Sequence, residues 1–293
     1  MKKIISILAI ALCVCVGVVC FAACAETTEF NRNEDINLIQ REAGSGTRDA
    51  FESLLGLAGQ VHTSAGQYNT TGSLRTAVAN NKYSIGYVSV ASVNDTVKAL
   101  DIDGKEPSAA NIKSNEYTLW RPFLMIIHKD VTLTSMTALA QDFHKYIFST
   151  QGQAVVTGDG LVEVSTTGTY SAPATALTGT LNVIGSTSVQ TVMNKIVEEY
   201  KKLNAGVTIV VDGTGSGQGR TEADKKLDNS FGIVSAELTA AQAAVYNPYQ
   251  IAKDGVAVIV HKDNPLTGLT KAQVTDVFKG TATGSDKWSF VVE

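Results

Sequence analysis

Beyond its first 24 residues this chain has no cysteine. Cys13, Cys15, Cys20 and Cys24 are its full complement, so the rest excludes a disulfide framework and a thiolate metal centre. Histidine is nearly as scarce. His62, His128, His144 and His261 are scattered and read as surface or packing residues. With no clustered His, Cys or carboxylate, neither a metal nor a cofactor is expected. An excess of positive charge is missing too. The 24 basic residues face 28 acidic ones, with no basic block or aromatic-basic interleaving, which argues against nucleic acid. After Ile4 to Ala23 no hydrophobic run of comparable length follows, which argues against several membrane spans. Catalytic loop motifs are also absent. No Lys follows the glycines as a nucleotide P-loop requires. Neither Ser45 nor Ser216 sits in G-x-S-x-G, and the glycines near 213 are out of register for G-x-G-x-x-G. An enzyme is therefore not expected.

What is present is a chain of 293 residues, 44% apolar and 18% charged, enough for two lobes or one large domain with a proper core. Lys2 and Lys3 ahead of Ile4 to Ala23 form an export signal, residues 1–24, outside the fold. Without those two lysines, 22 of the 24 basic residues remain against 28 acidic ones. Phe21-Ala22-Ala23-Cys24 resembles a lipoprotein processing box, with Cys24 the lipidated first residue and Phe21 a departure from the usual aliphatic. Ordinary cleavage after Ala23-Cys24-Ala25 is the competing reading.

The chain turns on R-E-A-G-S-G-T-R-D-A-F, Arg41 to Phe51. An apolar run, Ile36 to Ile39, leads in, and a helical run, Asp49 to Leu55, leads out. Helix N-termini carry unpaired N–H groups and a positive dipole end, which suits anions. Arg41 adds a planar fork for two oxygens. One reading is a clamp for a tetrahedral oxyanion, phosphate first. The other is a glycine-rich turn capped by Ser45 or Thr47. Two more loops share this chemistry, Gly185 to Ser188 and Gly213 to Gly219, each after a strand. In open α/β sheets ligands bind beyond the carboxyl ends of strands. Convergence of the three would surround one small anion with neutral donors and one Arg. Bonds of this kind contribute roughly 1.5–3 kcal/mol each, so about five cover the ~8 kcal/mol of micromolar binding and offset some ordering.

Along the chain, strands are expected at Ile36 to Ile39, Ser84 to Val90, Trp120 to His128, Leu181 to Ile184, Val207 to Val211, Phe231 to Val234, Gly255 to Val260 and Trp288 to Glu293. Helices are expected at Ser73 to Asn80, Thr137 to Ser149, from Ser186 to about Leu203, at Thr239 to Val245, and at Thr270 to Phe278 with Thr270 as N-cap. Thr63 to Gly72 reads as a connector, Asp101 to Asn115 as a polar excursion, and Ser165 to Thr180 as a small-residue linker. The charged run R-T-E-A-D-K-K after Gly219 reads as a solvated face. Alternation of strands and helices gives an α/β fold.

Several of these segments resemble the phosphate-binding proteins that feed phosphate ABC transporters, the PstS family. Arg41 to Phe51 resembles that family's phosphate loop. Ile85 to Val90, Arg121-Pro122-Phe123 and Phe143 to Gly160 resemble later segments. Val183 to Gln190 resembles its first strand and anion loop, Gly213 to Gly219 its second loop, and Ile251 to Val260 its crossover strand. The resemblance implies a two-lobed, periplasmic-binding-protein-like α/β fold with a ligand cleft between lobes. One lobe would comprise 27–122 plus 253–293, and the other 123–252. It implies a monomeric, extracytoplasmic protein, held at the membrane by a lipid anchor, that delivers inorganic phosphate or a related oxyanion to ABC permease subunits. A sensor or surface interaction module of the same fold is the alternative. Carried over by motif, Arg41, Ser45, Gly46, Thr47, Thr187, Ser188 and Ser216 contact the anion. Ser235 stands where some members have an Asp that takes the proton of HPO4 and rejects sulfate. Glu42 stands beside Arg41 either to help or to orient the guanidinium. The order of segments is unusual, because family members begin with the segment found here at 181 and reach the Arg loop later. The chain thus resembles a circular permutation with Ser165 to Thr180 joining the old ends, a truncated tandem or fragment being the duller reading. The export signal directly ahead of the Arg loop supports a real start.

Overall fold

Apolar Leu38 and Ile39 open strand β1 (Asn37–Arg41), in a computed structural model that describes residues 29–292. The export segment and Cys24 lie outside the described residues. Next come helix α1 (Gly46–Leu55), strand β2 (Gly66–Tyr68), helix α2 (Thr71–Ala79), strand β3 (Ser84–Ser89) and strand β4 (Val97–Ala99). The middle of the chain supplies strand β5 (Trp120–His128) and helices α3 (Ala138–Ile147) and α4 (Thr150–Gly158). The pattern restarts with β6 (Gly179–Gly185), α5 (Thr187–Leu203), β7 (Val207–Gly213), α6 (Ser216–Asp224) and β8 (Ser230–Val234). A 16-residue strand, β9 (Tyr246–His261), and helix α7 (Lys271–Lys279) follow.

Among the described residues these strands form one nine-stranded sheet in the order β2-β1-β3-β9-β5-β8-β6-β7, with β4 on β9. β1 runs parallel to β2 and β3, and β6 runs parallel to β7 and β8. Between these two parallel blocks lie β5 and β9, paired antiparallel from Trp120 opposite Gly255 to His128 opposite Tyr246, with an irregularity between Gln250 and Ala252. Asp101–Ile102 and Gly268–Leu269 add a small separate ladder.

Hydrophobic cores form at both ends of the sheet. At one end Ile39, Leu74, Val78, Val88, Ala257 and Ile259 pack under α2. On the other face there, Phe51 of α1 stacks on Tyr87 at 3.9 Å, and Phe278 of α7 meets Phe51 edge-on at 4.8 Å. At the far end Leu181, Val183, Phe231 and Ile233 pack against α3, α4 and α5 through Phe143, Ile147, Val156, Val192 and Ile196. The expected positions of α3, Leu139, Phe143 and Tyr146, are all buried.

Several boundaries differ from the sequence reading, each for a local reason. α1 starts at Gly46 rather than Asp49, because Ser45 caps it by accepting from Arg48 N–H at 3.4 Å. The connector before Gly72 contains β2 and the start of α2, with Thr70 as N-cap. Its strand has three polar or small residues and no apolar alternation to reveal it. The last segment is not a strand. Trp288–Phe290 form a single 3-10 turn, with the Trp288 indole buried and donating to Tyr83 O at 3.2 Å. The charged run on α6 is not wholly solvated. Glu222 is 6% exposed, accepts from Ser230 Oγ at 2.6 Å, and pairs with Lys225.

The stretch expected as a linker is tied down. Tyr170 is buried, and its ring packs edge-on against Tyr146 at 5.1 Å. Its hydroxyl donates to Asp142 Oδ2 at 2.7 Å, an oxygen shared with the Tyr200 hydroxyl. Gln151 brackets the Tyr170 backbone, donating to its carbonyl and accepting from its N–H. By Gly179 the chain is already in β6, before the expected end of the linker at Thr180.

Candidate functional site

The carboxyl ends of β1, β2, β6, β7 and β8 come together, and the first four lead directly into helices α1, α2, α5 and α6. Each of those helices presents its N-terminal turn, the end that carries unpaired N–H groups. Side-chain caps occupy some of those donors. Thr70 accepts from Ser73 N–H at 2.9 Å and Ser186 from Val189 N–H at 3.3 Å, as Ser45 does for α1. The capped-turn reading of the first loop therefore holds: Ser45 uses its hydroxyl on the cap, while Gly46 and Thr47 begin the helix behind it.

A connected set of buried hydroxyls fills this junction. Thr47 Oγ1 lies 3.0 Å from Ser188 Oγ. Thr71 Oγ1 lies 3.1 Å from Thr187 Oγ1 and 3.2 Å from Ser188 Oγ. Ser235 Oγ accepts from Ser186 Oγ at 2.8 Å and sits 3.4 Å from Ser216 Oγ. Gly46 fits against this second group. A methyl there would stand 2.3 Å from Ser216 Oγ and 2.7 Å from Ser235 Oγ, so only glycine permits the approach. The loops also touch through backbone, Gly217 N–H donating to Gly44 O at 3.0 Å. Gly185, at φ 141°, ends β6 where any side chain would strike the Ile233 carbonyl.

Two guanidinium groups bracket the hydroxyls, both almost fully buried. Arg41 is held fork to fork by Glu42, Nε to Oε2 at 2.7 Å and Nη2 to Oε1 at 2.8 Å, so Glu42 orients it. Further bonds run to Tyr68 O at 3.2 Å and, from Nη1, to Thr71 Oγ1 at 3.1 Å. Arg121 stands on β5 opposite Asp254 of β9. It donates to Asp254 Oδ2 from Nε at 3.1 Å and Nη2 at 3.0 Å. Its other edge donates to Ser235 O at 2.9 Å and Ser188 Oγ at 3.3 Å. Burial holds the Asp254 carboxyl above the usual carboxylate range, at about 6, even with Arg121 and the Ser89 hydroxyl against it. A cavity of about 170 Å³ opens beside Arg121, bounded by Asp49, Trp120, Arg220 and Thr239.

All eight residues singled out in the sequence lie at this junction. Arg41, Thr47, Thr187, Ser188, Ser216 and Ser235 reach the hydroxyl network with their side chains, Gly46 reaches it with its backbone, and Ser45 faces its own helix. Sequence reasoning missed Thr71, Ser186, Arg121 and Asp254 as members. Arg121 carried a usable signal as the one charge in the apolar stretch W-R-P-F-L-M-I-I, whereas Asp254 follows Lys253 at the edge of its apolar run. Thr71 carried none, because β2 is too short and polar to mark a loop. Among the described residues no group of three or more His, Cys, Asp and Glu is placed to hold a metal ion, and no helix is long and apolar enough to cross a membrane.

Comparison with known proteins follows this geometry. A family model described as a PBP superfamily domain matches residues 23–151 and 170–290. The phosphate-binding protein PstS 2 of Streptococcus pneumoniae is 39% identical over 261 residues, 86% of this chain and 87% of that protein. PstS 2 of Streptococcus agalactiae is 36% identical over 299 residues, 98% of this chain and 97% of that protein. Among solved structures, a phosphate-binding protein of a phosphate ABC transporter from Streptococcus pneumoniae superposes with a TM-score of 0.68 at 37% identity, covering 88% of this chain and all of that one.

Proposed function

This chain belongs to the PBP superfamily and, within it, to the PstS phosphate-binding proteins, and from that premise we propose that it binds inorganic phosphate in a cleft between two lobes and hands it to an ABC permease. The observation that carries the reading is the junction itself. Four helix N-termini and a buried hydroxyl network meet between Arg41 and Arg121, a setting that compensates negative charge with fixed dipoles and two guanidiniums. In this reading Arg41, Ser45, Gly46, Thr47, Thr187, Ser188, Ser216 and Ser235 form the phosphate site, Ser45 through its backbone, with Thr71 added. The protein binds its ligand without transforming it.

The lobes are 32–122 with 253–292, and 123–252. The two separate cores support this division, and β5 and β9 carry the chain across it. The hydrogen bonds Thr47–Ser188 and Thr71–Thr187 join one lobe to the other, so the arrangement is a closed one. The protein works outside the cytoplasm, anchored through a lipid on Cys24, and the mass of the mature N-terminus distinguishes this from cleavage after Ala25.

The order of segments is shared end to end with PstS 2 of Streptococcus agalactiae, and we propose that it is a circular permutation relative to other members of the family. The family match breaks at 151–170, overlapping the segment expected to join the old ends. Arg32 to Ile36 also hydrogen-bond to the stretch Asp286 to Ser289.

Isothermal titration of the protein with phosphate tests the function. Micromolar or tighter binding is expected. Arg41→Ala removes a charged partner worth about 1.5–3 kcal/mol and leaves Glu42 uncompensated, so affinity falls at least about 10-fold. Unchanged affinity in that variant would remove Arg41 from the site.

A further inference from the structure

Helices α1 and α6 come from different lobes and meet with small residues toward each other. On α1, Gly46, Asp49, Ala50 and Ser53 fall at i, i+3, i+4 and i+7, one stripe of a helix. Gly46 lies against Ser216 and Ser235, so this stripe is turned to the other lobe. On α6, Ser216 and Arg220 are four residues apart and share a face. Gly217 N–H donates to Gly44 O at 3.0 Å, a backbone bond from lobe to lobe. A methyl at Gly217 would stand 3.6 Å from Gly44 O and 3.9 Å from Arg220 Nη2, which puts that guanidinium beside the bond.

One turn further along both helices, Asp49 and Arg220 line the same cavity of about 170 Å³, one from each lobe. The neighbouring cation on α1 is already committed, Arg48 donating to Glu52 Oε1 at 2.6 Å and to Arg41 O at 3.3 Å. Asp49 keeps an open side to solvent. Desolvation at the seam nonetheless lifts its carboxyl above the ordinary range, and Arg220 exerts the largest pull in the other direction. Both residues stand a full turn behind Gly46 and Ser216, the positions at which their helices meet the hydroxyl network.

We propose, resting on the two-lobed phosphate reading above, that Asp49 and Arg220 are a positioning pair that holds the lobes shut and sets how long phosphate is retained. Their attraction acts only when α1 and α6 are brought together. It therefore favours the closed form alone and lengthens ligand residence without touching the ligand. A pair at a half-open cavity is also screened by salt, unlike the buried fork of Arg41 and Glu42.

The release rate of radiolabelled phosphate, chased with unlabelled phosphate from the full protein at neutral pH, tests this. Asp49→Asn and Arg220→Gln are each expected to speed release about 3- to 10-fold at about 50 mM salt. The double variant should release no faster than the faster single one, because either change removes the same interaction. At about 500 mM salt the variants should come within about two-fold of the parent. Melting temperatures measured without phosphate are expected to match the parent's, which separates the effect from a loss of fold. Release at the parent's rate in both single variants overturns the proposal and leaves the phosphate reading intact. Single effects that multiply in the double variant, or that persist in full at high salt, do the same. A parent protein that binds no phosphate overturns that reading and the role of the pair with it.

Discussion

Asp254 and Arg121 show what a single pair of side chains can be made to hold. Each is buried and each faces its partner across the two central strands. Removing Arg121 leaves the Asp254 charge without a partner in a medium that solvates it poorly. Arg121→Met is expected to lower stability by about 3–5 kcal/mol at neutral pH, measured by urea unfolding. The pH dependence has a definite sign. The carboxyl ionises at about 6 in the fold against 3.8 for an unperturbed Asp. Its proton therefore favours the folded state. That contribution is fully present below pH about 4 and is lost as pH rises through about 6. Melting curves over that window should show the decline in the unaltered protein and a flatter profile in Asp254→Asn. The pair was half legible. Arg121 stood out as the one charge in an apolar run, but Asp254 sits beside Lys253 at the edge of its run, and their register across β5 and β9 is a long-range fact that local pattern does not contain. Arg41 was legible because its loop carries its own chemistry in consecutive residues.

Elements with strong periodicity or clear punctuation read well from the sequence. β5 was expected at Trp120 to His128 and is found there, because nine mostly apolar residues bounded by polar ones leave little choice. α7 follows Thr270 as its cap, with Gln273 returning the bond in a capping box. The failures lie where tertiary contact decides. β9 is 16 residues long, yet pattern alone marked only Gly255 to Val260 and the resemblance only Ile251 to Val260, since its first half carries Asn247, Pro248, Gln250 and Lys253 and is held by pairing with β5. The same holds for the segment after Val164. Its composition is that of a flexible connector, and composition alone does not report that one tyrosine finds a pocket. Tyr170→Ala is expected to cost about 3–5 kcal/mol, as truncation of a buried aromatic does. Limited proteolysis checks the local effect. Cleavage between residues 165 and 178 should become fast in the variant and stay slow in the unaltered protein.

For the whole molecule, segment order and spatial arrangement are separable. If the fold is indifferent to where the chain is cut, moving the cut should preserve function. A variant that joins residue 292 to residue 32 through a short flexible link and opens between 165 and 178 is expected to bind phosphate within about three-fold of the parent, about 0.65 kcal/mol. Calorimetry on the purified variant measures this, and loss of binding in a folded variant would mean that the present order is itself required.

The aromatic trio of Phe51, Tyr87 and Phe278 carries one more consequence. Two of its rings precede the middle body in the chain and the third follows it. While the chain emerges from the ribosome, the body built from the middle of the sequence has all its partners long before the other does. The split body waits with Phe51 and Tyr87 uncovered until α7 arrives, a delay set by the sequence distance between the partners.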